Sequence, residues 1–241
     1  MLNVLIADDN MYYVKSLVNF VVGKNSSIKI TNIASNGAEV LDILEKNQNI
    51  DLILLDLKMP KLNGVELLNK LYHMDLNRYP NIIVISGENR LINKIVKHPL
   101  VIDFINKADG MINIYHKLKE FEKELNYLNI KDDLLKKISL ELTYIGYNPS
   151  HIGTQYIKEC ILEIYESNNP ELIRNLENYV YKKIACIHNK SFQNVKSNII
   201  KATNFMYVES DITLLQNYFH FSDNKRKPTP KMVISTILNK I

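Results

Sequence analysis

An apolar run, "DLILLD", closes on a carboxylate, Asp56, and passes at once into "LKMPKLNG". A chain that needed only a buried strand here would have no use for the acid. Carboxylates also end the first apolar run, "NVLIADD", at Asp8 and Asp9. The run "NIIVIS" ends on a hydroxyl, Ser86, and "VIDFI" is followed by an ammonium, Lys107. If these runs are strands of one parallel sheet, the five groups gather along its C-terminal edge, where open parallel sheets hold their ligands. Three acids converging on one crevice repel one another, and a divalent cation is the usual remedy. Small, hard Mg2+ suits an oxygen-rich site that keeps several waters. Acid pair, acid, hydroxyl and lysine, in that chain order, would surround an anion carried on Asp56.

The elements that must position these groups are legible as an alternation. Strand-like runs occur at Asn3–Ala7, Ile28–Ala34, Asp51–Asp56, Asn81–Ser86 and Val101–Ile105. Between them apolar residues recur at helical spacing, as at Leu17, Phe20 and Val21, or Val40, Leu41 and Leu44. Several runs are continuous rather than alternating, as strands covered on both faces should be. The expectation is a doubly wound (βα)5 fold: a five-stranded parallel sheet with right-handed crossovers and helices on both sides.

After "KLKEFEKELNYLNIKDDLLKK" (Lys117–Lys137) the texture changes. No further run is convincingly strand-like, and apolar residues recur at three and four. The second half is therefore expected to be all-helical, with breaks at Gly146–Ser150, Ser167–Pro170, His188–Ser191 and Ser222–Pro230. The expected domains are 1–125 and 133–241, joined by a linker over 126–132. At 241 residues the chain is long enough for two cores.

Bulk properties exclude little but agree. Hydrophobic residues make up 46% and charged residues 23%, ordinary for a globular protein. A formal charge of +4 argues for no particular partner. No apolar stretch approaches the length of a membrane span, and the N-terminus runs straight into a strand-like segment, so no membrane partner and a cytoplasmic location are expected. Cys160 and Cys186 both lie in helix-like apolar patterns and are expected as buried free thiols.

"LIADDN", "LLDLKMPKLNG", "VISGE" and "DFINKAD", in this order and spacing, resemble the response-regulator receiver domain of two-component signalling. The resemblance covers roughly residues 1–125. It implies that Asp56 accepts a phosphoryl group from a histidine kinase or phosphotransfer protein. It implies Mg2+ held by Asp9, Asp56 and the backbone carbonyl of Lys58, with Asp8 holding the metal's water shell. Ser86 and Lys107 would bind the phosphoryl oxygens, and Phe104 would be the aromatic switch that turns inward when the hydroxyl closes on the phosphate. The family usually has proline after the lysine; here Ala108 follows.

One stretch of the second half, Val180–Tyr207, has helix-turn-helix character. A short helix ends near His188–Asn189, and Ser191 is a suitable N-cap for the next. Along that next helix Val195, Ile199, Ala202 and Met206 share one face. Gln193, Ser197, Ile200 and Asn204 fall opposite, flanked by Asn194, Lys196 and Lys201. Amides and lysines opposite an apolar stripe suit a helix lying in the major groove of double-stranded DNA. From Lys190 to Ile241 there are eight lysines or arginines against three acids, and Lys225, Arg226 and Lys227 form a reasonable phosphate clamp.

The segments "IGYNPSHIG", "YIKECI", "PELIRNLENYVYKKIACIHN", "VKSNIIKA" and "KPT" resemble the effector domain of the sporulation-initiation response regulators, the stage 0 sporulation protein A family. That resemblance implies a DNA-binding output and dimerisation on phosphorylation. The family's recognition helix is rich in Arg and Glu, whereas the corresponding outward positions here are Asn194, Lys196, Ser197 and Ile200. The resulting expectation is a phosphorylation-activated transcription regulator, a switch rather than a turnover enzyme. The alternative is a phosphorelay or interaction protein that modulates a kinase or partner regulator without specific DNA binding.

Overall fold

The computed structural model describes residues 1–24, 27–47, 49–76, 78–87, 91–92, 95–221 and 226–241. They divide into two compact units, Met1–Asn126 and Tyr127–Ile241.

The first unit is built on strands β1 (Leu2–Ala7), β2 (Ile28–Ala34), β3 (Leu52–Leu55), β4 (Asn81–Ser86) and β5 (Val101–Asn106). They form one parallel sheet in the order β2-β1-β3-β4-β5. The five strand-like runs of the sequence thus become five parallel strands, each within a residue or so of its expected bounds. Continuous apolar runs are needed because the sheet is covered on both faces. Leu5, Ile53, Leu55, Ile82 and Val84 pack on one side, in a core shared with α2 (Gly37–Lys46) and α3 (Gly64–His73). Val4, Ile6, Leu52, Leu54, Ile83 and Ile85 pack on the other, with α1 (Met11–Gly23) and the start of α4 (Gly110–Tyr144). The strand order reverses between β1 and β3, and Ala7 lies opposite Leu55 in their register. Asp8 and Asp56 therefore leave the sheet side by side at the switch point, while Ser86 ends β4 opposite Asn106.

Helix α4 runs without interruption from Gly110 to Tyr144, and residues 126–132 are helical within it. No glycine or proline occurs between Gly110 and Gly146, so no residue type there breaks the helix. Ile114 and Leu118 belong to the core of the first unit; Leu134, Ile138 and Leu142 belong to that of the second.

The second unit is helical, with no strand among its described residues. After α4 come α5 (Ile152–Ser167), a 3-10 turn (Pro170–Ile173), a π-helical stretch (Leu176–Tyr181) leading into α6 (Lys182–Ile187), α7 (Phe192–Glu209), α8 (Ile212–Phe219) and α9 (Pro230–Leu238). The breaks read at Gly146–Ser150 and His188–Ser191 fall between these elements, and that at Ser167–Pro170 spans the step from α5 into the 3-10 turn; residues 222–225 of the last break lie outside the described residues. A further one, at Ser210–Asp211, was not foreseen: the Asp211 carboxylate accepts the N–H groups of Thr213 and Leu214 and caps α8. Gly153 brings α5 against α7 so closely that a Cβ there would lie 2.0 Å from the Asn198 carbonyl oxygen. The expectation for the cysteines needs one correction. Cys160 is buried, but Cys186 is exposed, because Ile184 and Ala185 take the inward positions of the six-residue helix α6. Among the described residues no helix is long and apolar enough to cross a membrane.

Candidate functional site

Local backbone chemistry delivers each acid to the crevice of the first unit. The Asn10 N–H donates to Asp8 Oδ1 at 2.9 Å, and the Asn10 side chain caps α1 by accepting the Tyr13 N–H. The "ADDN" segment is thus folded back on itself as it enters the helix. On the neighbouring strand, Asp56 N–H donates to the Ala7 carbonyl at 2.8 Å, and the Lys58 N–H approaches Asp56 Oδ1 at 3.4 Å. Gly64 is required by the return of the chain. Its N–H donates to Leu57 O at 3.0 Å, and a Cβ there would meet the Asp56 carbonyl oxygen at 2.6 Å. Asn63 and Glu66 close a capping box over the same turn. The glycine that ends "LLDLKMPKLNG" is there because α3 starts against the backbone of the acid.

Carboxylate oxygens of Asp8, Asp9 and Asp56 lie within 4.8 Å of one another, near enough to share a cation. Asp8 and Asp56 are buried and Asp9 is exposed, so the cluster opens to solvent on one side. An oxygen-only donor set with an exposed acid fits a hard divalent ion that keeps waters. Lys107 reaches in from the end of β5. Its Nζ lies 2.7 Å from Asp8 Oδ2 and 2.7 Å from Asp56 Oδ2. Burial raises the Asp56 pKa above the ordinary aspartate value, and the Lys107 ammonium only partly offsets this. Burial opposes the charge on Lys107 too, yet hydrogen bonds to Asp56 and Asp8 outweigh it and hold the amine above the usual lysine range.

Ser86 is buried at 1% exposure where β4 ends. Phe104 is half-buried on β5 and packs against the core that holds Val84. Tyr13, which sequence reasoning passed over, lies under the lysine, with Nζ 5.0 Å from its ring centroid. The one available signal was an aromatic side chain three residues after the helix-capping Asn10.

In the second unit, Ser191 accepts the Asn194 N–H and caps α7, whose buried residues include Val195, Ile199, Ala202 and Met206. Gln193, Asn194, Ile200, Lys201 and Asn204 are exposed on the outward side. Ser197 and Asn198 both donate to the Asn194 carbonyl, so those polar groups are satisfied along the helix. Lys196 pairs with Glu177 of the π-helical stretch at 2.6 Å, a partner sequence reasoning did not supply. Arg226 and Lys227 are exposed and lie over the rings of Phe221 and Tyr207, at 5.2 and 5.5 Å. Lys225 lies outside the described residues.

The family of response regulator receiver domains matches residues 4–119. The family described as the C-terminal domain of the sporulation initiation factor Spo0A matches residues 138–241. The chain joins a response regulator receiver domain to a C-terminal domain of the Spo0A family. It is a sporulation-related regulator with a DNA-binding output, and not an enzyme. Similar solved structures include the response regulatory domain of protein mrkE from Klebsiella pneumoniae, at 22% identity and TM-score 0.46, covering 52% of this chain and 99% of that one. A CheY-like receiver domain protein from Methanospirillum hungatei matches at 25% identity and TM-score 0.45, covering 53% of this chain and 98% of that one. A LuxR-family DNA-binding response regulator from Staphylococcus aureus matches at 19% identity and TM-score 0.44, covering 50% and 98%. As in the family, the receiver implies a phosphodonor and the effector implies DNA.

Proposed function

We propose that Asp56 accepts a phosphoryl group and that this modification controls the DNA-binding activity of the effector domain. The observation that carries the reading is the Lys107 ammonium bridging Asp8 and Asp56 at 2.7 Å to each, at the switch point of the sheet. In the proposed step an Asp56 carboxylate oxygen attacks the phosphorus of a phosphohistidine on a histidine kinase or phosphotransfer protein. The P–N bond breaks, the imidazole leaves with the electron pair and takes up a proton, and an acyl phosphate remains on Asp56. Lys107 and the Ser86 hydroxyl meet the phosphoryl oxygens. Asp9, Asp56 and the Lys58 carbonyl would hold Mg2+, with Asp8 on its water shell; the ion supplies positive charge against the phosphoryl oxygens. A dianion at Asp56 then biases the β4–β5 face through Ser86 and Phe104.

The output reading assigns base contacts to the outward face of α7 and phosphate contacts to the lysines and arginines around it. Dimerisation on phosphorylation would set two such helices on paired half-sites. Asn194, Ser197 and Ile200 stand where the family carries charged readers, so the operator should differ from the family's usual box.

The test is selection of genomic fragments in vitro by the full chain with acetyl phosphate and Mg2+, beside Asp56→Ala. A shared motif, recovered more strongly with intact Asp56, is the expected result. Recovery no better than random from both proteins, with steep salt dependence, would refute specific reading and favour the interaction-protein alternative.

A further inference from the structure

Among the described residues, Lys107 meets partners of two kinds. Two are the carboxylates of Asp8 and Asp56. The third is the ring face of Tyr13, in the first turn of α1, with its centroid 5.0 Å from Nζ. The backbone N–H of Tyr13 is held by Asn10 at 3.1 Å, so the short segment that delivers Asp8 and Asp9 also fixes this ring. A cation over an aromatic face is attracted by the ring quadrupole, more strongly where water is excluded. Here the lysine side chain is only 25% exposed.

Two observations separate this contact from space filling. The Tyr13 hydroxyl is shut off from solvent and has no hydrogen-bond partner among the described residues. A buried unpaired hydroxyl is unfavourable, and an aliphatic side chain would fill the space without it. The backbone after Lys107 is the second. The lysine opens a single 3-10 turn, Lys107–Asp109, followed by Ala108 rather than a ring-constrained residue, so the side chain needs its guidance from elsewhere.

The carboxylates cannot be constant guides. Asp56 changes its charge and shape on accepting a phosphoryl group, and Asp8 belongs to the cluster that would attract a cation. The ring takes part in neither event. We propose that Tyr13 is a positioning residue for Lys107, its face keeping the ammonium over the acceptor carboxylate while the lysine's anionic partners change. This rests on the reading of Asp56 as acceptor.

The experiment uses the full-length chain in two measurements. The first is the rate of Asp56 phosphorylation by acetyl phosphate with Mg2+. Tyr13→Leu is expected to slow it roughly tenfold, and Tyr13→Phe, which keeps the ring, to stay within about twofold of the parent. The second is a thermal-unfolding cycle of the metal-free, unphosphorylated chain with Tyr13→Leu, Lys107→Gln and the double variant. The double variant is expected to lose less than the two singles together, because the contact is already gone in either one. Uptake by Tyr13→Leu at the parent rate overturns the proposal, as does a Phe variant as slow as the Leu variant, or an additive cycle. If the parent chain takes up no phosphoryl group, the reading of Asp56 fails instead, and the cycle alone decides whether Tyr13 holds Lys107.

Discussion

Replacing Gly64 by alanine tests whether the start of α3 is pinned to the backbone of Asp56. The new Cβ would lie 2.6 Å from the Asp56 carbonyl oxygen and 2.8 Å from Leu57 Cα, neither of which can swing away as a side chain could. Ordinary contact begins near 3.4 Å, so the approach must open by about 0.8 Å. The Gly64 N–H to Leu57 O bond, now 3.0 Å, would lengthen beyond useful range. Overpacking of about 1–2 kcal/mol and one lost hydrogen bond of about 1 kcal/mol give a destabilisation of roughly 2–3 kcal/mol. For a receiver of this size that lowers the melting temperature by roughly 10 °C. Gly23→Ala is the matched control. It ends α1 with nothing within 4 Å of the would-be Cβ, so alanine there should be neutral or stabilising by up to about 1 kcal/mol. Scanning calorimetry of the full chain, following the receiver transition, reads both. Phosphoryl uptake should fall in Gly64→Ala and not in Gly23→Ala. A Gly64→Ala chain that melts with the parent and is modified at the parent rate would refute the close-approach argument.

Two further outcomes follow from the electrostatics. Burial holds the folded-state pKa of Asp56 above its unfolded value, so its ionisation opposes folding. That burden is complete above the folded pKa and disappears as pH falls below the unfolded one. Asp56→Asn should therefore melt higher than the parent at neutral pH, with the gap closing in acid; a variant that melts lower at neutral pH contradicts the sign. In the effector domain, Glu177→Gln removes the partner of Lys196. Affinity for random duplex should rise and its logarithmic salt slope should steepen by up to about one unit, read by fluorescence anisotropy across a salt series. An unchanged slope would remove Lys196 from the set of phosphate contacts.

The sheet was legible because its requirements are local: runs such as "LILL" have no polar face and make sense only as strands covered twice. Strand ends then placed Asp8, Asp56, Ser86 and Lys107 on one edge without any knowledge of contacts. Helix α7 was legible for a similar reason, since Ser191 and the stripe from Val195 to Met206 lie within a single element. What sequence did not disclose depends on partners distant along the chain. Glu177 meets Lys196 from another element, and Tyr13 meets Lys107 across the crevice. The composition of Lys117–Lys137 is helical, but where that helix gives way to a linker within 126–132 is not legible, and α4 runs through those residues. A charged stretch without strong breakers reads equally as exposed helix or as linker, and periodicity does not decide between them.

The same distinction separates the two faces of α7, the helix proposed to meet DNA. Val195, Ile199, Ala202 and Met206 are buried, and Gly153 admits the Asn198 carbonyl so closely that even a methyl group would displace α5 from α7. That face is fixed by packing and tolerates little. The outward face is fixed only by being attached to it. Ile200 is 40% exposed, and the polar groups of Ser197 and Asn198 are turned onto the Asn194 carbonyl. Exchanging residue types there changes the offered chemistry without moving the helix. If this face enters the major groove, Lys196 and Lys201 are its cationic groups for guanine or phosphate. An amide at Gln193 or Asn204 can pair with an adenine edge, and an exposed isoleucine can pack against a thymine methyl. Amides, an isoleucine and lysines on one face offer chemistry for more than one base pair, and the scaffold beneath has no reason to change with the operator.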